Sequence, residues 1–309
     1  MPETVSVQAE TETMIYSIKN DFLTVRINSY GAELTEITDA DGTEYLCRQD
    51  RRNWNGIAPV LFPNTGAAHE SGVLIGNRKY RYIQHGFAKN SEFSAADHSN
   101  ESITFVLSSG AYTHTISPYD FSLAITYTLS GSTLRVSSAI TNTEKQERMY
   151  CALGFHPGFA CPLEENEKAE DYSLHFDSPM TADRMTLENG LVAGLIRKYW
   201  DSVTEIPVQE GMFDGGSFSM TALTTKTVSL ISGRTGRSVT LCFDDYPNLV
   251  LWAPKNEKIT NICIEPWYGR PDDIFGTRDI SLKKNMLAID PMETKELAFS
   301  IAFRQPNAQ

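Results

Sequence analysis

Along much of the chain, apolar and polar residues alternate one for one. Phe22-Leu23-Thr24-Val25-Arg26-Ile27 does so, and so do Ser102 to Leu107, Phe121 to Leu129, Thr133 to Ile140, Ser238 to Phe243 and Glu296 to Phe303. A period of two puts the apolar side chains on one face, which is the signature of a half-buried strand. Turn signals separate these runs: Asp39-Ala40-Asp41-Gly42, Ser130-Gly131-Ser132 and Gly233 to Gly236. The opening, from Met14 to Leu46, therefore predicts an antiparallel meander. Asn248 to Trp252 and Ile259 to Ile264 are continuous apolar strands, whereas Tyr172 to Phe176 and the region 185–218 carry weaker strand signals. Glu164 to Glu170 is acidic and reads as a solvated loop or a short helical turn. No segment sustains a 3.6-residue apolar stripe, and there is no internal repeat or low-complexity linker. The pattern predicts an all-β chain built as a large antiparallel β-sandwich, with a barrel as the second choice. Residues 1–13 read as a loose tail and residues 14–309 as a single domain.

Composition narrows the possible partners. With 27 Lys+Arg against 39 Asp+Glu, the net charge is −12. A nucleic-acid partner is excluded on that balance, because phosphate backbones are bound by clustered cations. No apolar run approaches the roughly 20 residues that span a bilayer, so no membrane association is expected. The first residues lack the basic and apolar regions of a secretory signal. Five cysteines without a CxxC pair suit reduced, mostly buried thiols. Together these features predict a cytoplasmic protein.

Three stretches combine a titratable group, aromatics and backbone constrained by Pro or Gly. They are Gln84-His85-Gly86-Phe87, Gly154-Phe155-His156-Pro157-Gly158-Phe159 and Ile264-Glu265-Pro266-Trp267-Tyr268-Gly269. Each is expected to follow a strand, where a rigid scaffold fixes a side chain in register. Histidine is the usual general acid/base near neutral pH, and glutamate serves once its pKa is tuned. Two His and a Glu are also potential zinc ligands, although neither HxH nor HExxH spacing occurs. The plain structural reading is two satisfied histidines and a glutamate paired with Arg270. Three sites of one design make that reading the weaker one. His69, His98, His114 and His175 lie among ordinary polar or strand residues and read as structural or solvated. Trp54, Trp252, Trp267 and Tyr268 suit either a core or the face of a sugar ring.

At these stretches the sequence resembles the aldose 1-epimerase (galactose mutarotase) family, in particular its bacterial LacX-like branch. Ala58-Pro59-Val60-Leu61-Phe62-Pro63 and Gln84-His85-Gly86-Phe87-Ala88-Lys89 carry the resemblance, with the His156 and Glu265 stretches, in the same order over about residues 15–303. The resemblance implies a large antiparallel β-sandwich and reversible interconversion of α and β anomers of a free aldose. It implies no metal or organic cofactor, a small sugar as the partner, and a monomer or homodimer. Glu265 is then the base, His156 the acid, and His85 a sugar-binding histidine. Phe155 and Trp267 are the aromatic candidates for sugar contact. Two departures bear on specificity. Ala67 stands where many relatives carry a sugar-binding arginine, which makes Arg78 or Arg81 the candidate substitute. Gly216 falls at a family aspartate, which makes Asp214 the candidate there. A weakly active carbohydrate-binding protein of the same fold and a hexose-6-phosphate mutarotase remain as alternatives.

Overall fold

The alternation is realised as pairs of antiparallel strands in a computed structural model that describes residues 13–47, 56–70, 72–255 and 258–306. Most of the expected N-terminal tail, and Trp54, lie outside the described residues. Ile15–Lys19, Leu23–Asn28 and Glu33–Asp39 form a three-stranded sheet, as the meander pattern predicts. A second, antiparallel sheet of fifteen strands carries most of the remaining chain. Its strand Phe121–Ser130 shows why these residues form strands. Phe121, Leu123, Ile125, Tyr127 and Leu129 are buried on one face. On the other face Thr126 bonds Thr104, and Thr128 bonds Ser102, on the neighbouring strand. Apolar burial drives one face, and cross-strand hydroxyl pairs tie the other.

The large sheet doubles back on itself. Six strands separate Leu153–Phe155 from Thr294–Arg304 in the sheet order. Yet the rings of Phe155 and Phe299 lie 4.8 Å apart, and both meet Tyr246. One apolar cluster joins residues of both sheets, from Ile18 and Val25 to Phe299 and Ile301. This is a large antiparallel β-sandwich. Among the described residues no helix is long and apolar enough to cross a membrane.

Three local expectations change. The weak signals between residues 172 and 218 are two 17-residue strands, Tyr172–Glu188 and Leu191–Pro207. They form a ribbon with several bulges, closed at Asn189-Gly190, where both residues have positive φ (50° and 80°). The second strand is largely exposed on both faces, so its sequence has no core stripe to read. The Glu-rich segment ends in a short helical turn, Ala169–Asp171, but it is not simply solvated. Glu164 accepts from the Nε of buried Arg237 at 2.5 Å, and Glu167 accepts from Ser232 and Tyr172. Arg237 also donates to Asp39 at 2.6 Å and to the Tyr45 hydroxyl at 2.8 Å. This enclosed network pins the three-stranded sheet to the large one. Finally, Glu265 lies inside its strand, Asn261–Tyr268, rather than after it. Pro266 is tolerated mid-strand because it faces the break between the neighbouring strands Leu153–Phe155 and Gly158–Ala160.

His85 sits in the left-handed region (φ 65°), followed by Gly86 (φ 70°). A Cβ on Gly86 would lie 2.1 Å from the Phe62 carbonyl oxygen, a backbone atom that cannot step aside. Gly42 also has positive φ, but it faces open space. Gly86→Ala is expected to cost about 2–4 kcal/mol and Gly42→Ala about 1 kcal/mol or less. Urea denaturation of the two variants measures the difference.

Candidate active site

The register of the sheet builds the site. Gly154 pairs with Trp267 and Gly158 with Cys263, so His156 falls directly opposite Glu265 across the break. On the other side of Glu265, Val250 is its partner, and Ser219 is the partner of Val250. On the far side of His156, its N–H donates to Pro59 O at 3.1 Å. Residues opposite one another share a face, so this transverse row lines one surface of the sheet. Gly154, two residues before His156, has a definite use. A Cβ on Gly154 would come within 2.9 Å of the Trp267 ring and 2.8 Å of Thr65. Glycine there lets the indole lie flat against the strand beside the histidine.

The result is a cleft with Glu265 and His156 at its floor. Gln84, His85, Lys89, Ser217, Ser219, Trp252 and Trp267 are among its walls. His156 Nε2 lies 3.3 Å from Glu265 Oε1. The His85 ring meets the edges of His156 and Trp267 at 5.7 and 5.6 Å, and Trp252 meets His156 at 5.6 Å. His85 is anchored to the Gly66 backbone. Its N–H donates to Gly66 O at 3.0 Å, and Gly66 N–H donates to its Nδ1 at 3.1 Å. With Nδ1 accepting, the proton of the neutral ring is on Nε2, where it can be donated to a ligand.

Burial sets the charge state of these groups. It raises the Glu265 pKa well above the ordinary carboxyl value, against the opposing pull of Trp267. It lowers His156 to about 3, with His85 and Lys89 adding to the effect. Burial, helped by Lys89, lowers His85 to about 4. Geometry alone would make His156 and Glu265 an ion pair. The desolvation cost of two charges in so enclosed a place favours the neutral pair instead. Either way the pair holds one proton in total. The Glu265 oxygens and the Trp267 Nε1 have no well-formed hydrogen bond within the described residues. They are polar atoms held ready for a ligand.

The structure brings His85, His156, Glu265 and Trp267 together and leaves the other three sequence candidates apart. Phe155 ends the strand Leu153–Phe155 just before His156 and points away from the cleft, where it packs in the core against Phe299. Arg78 is exposed on the short hairpin Val73–Ile75/Arg78–Tyr80, outside the cleft lining. Asp214 is exposed in the turn at Gly211 to Gly216, and Ser217 and Ser219, just beyond it, line the cleft instead. Sequence reading missed Lys89, a half-buried cation at the cleft, and Glu33, which lies within electrostatic range of it. Glu33 accepts the N–H groups of Ile57 and Ala58, which holds the segment leading to Pro59. Lys89 was legible as the last residue of the His85 stretch, but nothing in the pattern distinguished it from a surface lysine. As for metal ligands, His85 stands apart, and Cys263 joins His156 and Glu265 in a close cluster.

This arrangement has parallels. The sequence profile of the aldose 1-epimerase family matches residues 14–295. Protein LacX (plasmid) of Lactococcus lactis subsp. lactis is 31% identical over 93% of this chain and 99% of its own length. The structure of a galactose mutarotase related enzyme from Lactobacillus acidophilus superposes with a TM-score of 0.88 at 26% identity, covering 95% of this chain and 98% of that one. A galactose mutarotase-like protein from Lactobacillus casei gives a TM-score of 0.86 at 29% identity, covering 94% and 100%. With the family profile spanning nearly the whole sequence and the residues of the cleft in register, the chain belongs to the aldose 1-epimerase family.

Proposed function

We propose that the protein is an aldose 1-epimerase that interconverts the α and β anomers of a free aldose. The observation that carries this reading is the buried Glu265–His156 pair, 3.3 Å apart, at the floor of a cleft lined by tryptophan and polar side chains. Ring opening needs a proton taken from the anomeric hydroxyl and one given to the ring oxygen. A pair holding a single proton supplies one base and one acid at once. In the empty cleft that proton rests on Glu265. A sugar hydroxyl bonded to the carboxyl favours its anionic form, and the proton then moves to His156 with no change in net charge. Glu265 draws the proton from O1 as His156 protonates the ring oxygen. After rotation about C1–C2 the two exchange roles and the ring closes on the other face. His85 donates its Nε2–H to the sugar, and Trp267 packs on the CH-rich side of the ring. No step calls on a metal or an organic cofactor. With Arg78 and Asp214 outside the cleft lining, Gln84, Lys89, Ser217 and Ser219 are the groups that would choose among sugars.

Polarimetry or NMR exchange on freshly dissolved α-aldoses, free and 6-phosphorylated, tests the reading. The wild type should speed equilibration of at least one free aldose, and Glu265→Gln should slow it by about 10³-fold or more. Sugar binding without acceleration would support a carbohydrate-binding role instead. A preference for the phosphorylated sugars would move the assignment to a hexose-phosphate mutarotase.

The pH profile follows from the shifts. The pair gains a second proton only in acid, because His156 resists protonation down to about 3, and burial shifts the loss of its one proton well above the ordinary carboxyl range. kcat/KM should therefore show no histidine limb near 6.5. Stability should move differently on the two sides. His85 and His156 titrate lower when folded than their ordinary 6.5, so the unfolded chain takes up protons first and stability falls as pH drops below 6.5. Glu265 titrates higher when folded, so its contribution is lost as pH rises above the ordinary carboxyl value. Glu265→Gln lacks that loss, and its Tm should exceed that of the wild type by a margin that widens with pH.

A further inference from the structure

We propose that His156, Cys263 and Glu265 form a binding site for one Zn²⁺ ion, and that occupation of this site shuts down the aldose cleft. One donor atom from each of the three residues lies within 4.8 Å of the other two. The sheet produces this cluster. Glu265 and Cys263 are two residues apart on one strand and share a face, and His156 is opposite Glu265 on the next strand. Zn–N and Zn–S bonds of about 2.0–2.3 Å are within reach of side-chain torsions from that starting arrangement. All three residues are buried. The fold therefore already holds them close to one another.

The donor set selects the ion. One imidazole, one thiolate and one carboxylate suit a borderline-soft metal that accepts tetrahedral coordination, which is Zn²⁺. Mg²⁺ and Ca²⁺ want six or more oxygens and find one carboxylate here. Three protein ligands leave a fourth position, toward the cleft, for water. The Asn261 side-chain N–H approaches Cys263 Sγ at 4.0 Å and supports a bound thiolate from behind. Binding displaces the thiol proton and the single proton held by the His156–Glu265 pair to solvent. No redox change is involved. His85 takes no part, since its Nδ1 is committed to the Gly66 N–H.

Inhibition rests on the mutarotase reading, because the ion takes both groups that reading uses. Binding itself does not. The test therefore has two arms on the purified protein. In the first, Co²⁺ is titrated as a spectroscopic stand-in for Zn²⁺, and Zn²⁺ binding is measured by calorimetry. One equivalent of Co²⁺ should give a thiolate-to-metal absorption band that Zn²⁺ abolishes. Cys263→Ser and Cys263→Ala should lose the band and bind Zn²⁺ at least ~10-fold more weakly. In the second arm, Zn²⁺ should inhibit mutarotation competitively with the aldose, while Cys263→Ala retains its basal rate and resists the metal. Absence of stoichiometric Zn²⁺ binding, or binding unchanged in both Cys263 variants, overturns the site. Binding to the wild type without loss of activity overturns the inhibitory role. If the wild type has no mutarotase activity, the first arm still decides the metal site.

Discussion

A carboxyl group with 1% of its surface exposed, in the middle of a central strand, is the constraint around which this molecule is arranged. A free carboxylate there would cost several kcal/mol. The fold meets that cost by keeping a proton with it and by setting a histidine opposite it that also prefers to be neutral. The same dry surroundings that make the pair costly to ionise strengthen every interaction a bound ligand makes with it. Function and instability therefore have one source, and a cleft of this kind must be held open by scaffolding elsewhere.

That scaffolding is specific. The register across the two strands is unbroken in number, although the strand pairing is interrupted at His156-Pro157. Pro266 sits against the interruption, and Gly154 leaves the space that Trp267 fills. Further off, the Arg237–Asp39–Glu164–Tyr45 network fixes one sheet against the other. Removing the arginine would strand a buried aspartate, which is why such networks are easier to keep than to dismantle.

The sequence made the strands legible wherever one face is buried and the other polar, because period two survives in the letters. It failed for Leu191–Pro207, which is exposed on both sides and has no apolar face to announce it. The Asn189-Gly190 turn was a readable signal at that point, since Asn-Gly favours the paired positive φ values found there. His85, His156 and Glu265 were readable because proline and glycine around a titratable group mark constrained backbone. Their meeting was not, since about a hundred residues separate His156 from Glu265 and only the register joins them. Phe155 misled because it adjoins His156 in sequence, yet it ends its strand pointing away from the cleft. Arg78 and Asp214 were chosen for their chemistry alone, and chemistry does not say which side of a hairpin or turn looks into a cleft.

The tip of the long ribbon has a consequence of its own. Leu187 and Gly190 form part of the cleft wall, and Val192 is hydrogen-bonded to Asp272 and Ile274 on both sides. The wall is thus assembled from segments near residues 30, 60, 85, 156, 190, 217, 250 and 265. None of these can be omitted, and few are neighbours in sequence. A chain with so many distant contacts has to close large loops before any reward arrives. The cleft is therefore complete only when all of these closures have been made. Occupancy of the cleft by a ligand would report on the integrity of nearly the whole chain, and splitting the protein at a loop between residues 30 and 265 would leave neither piece with the whole wall.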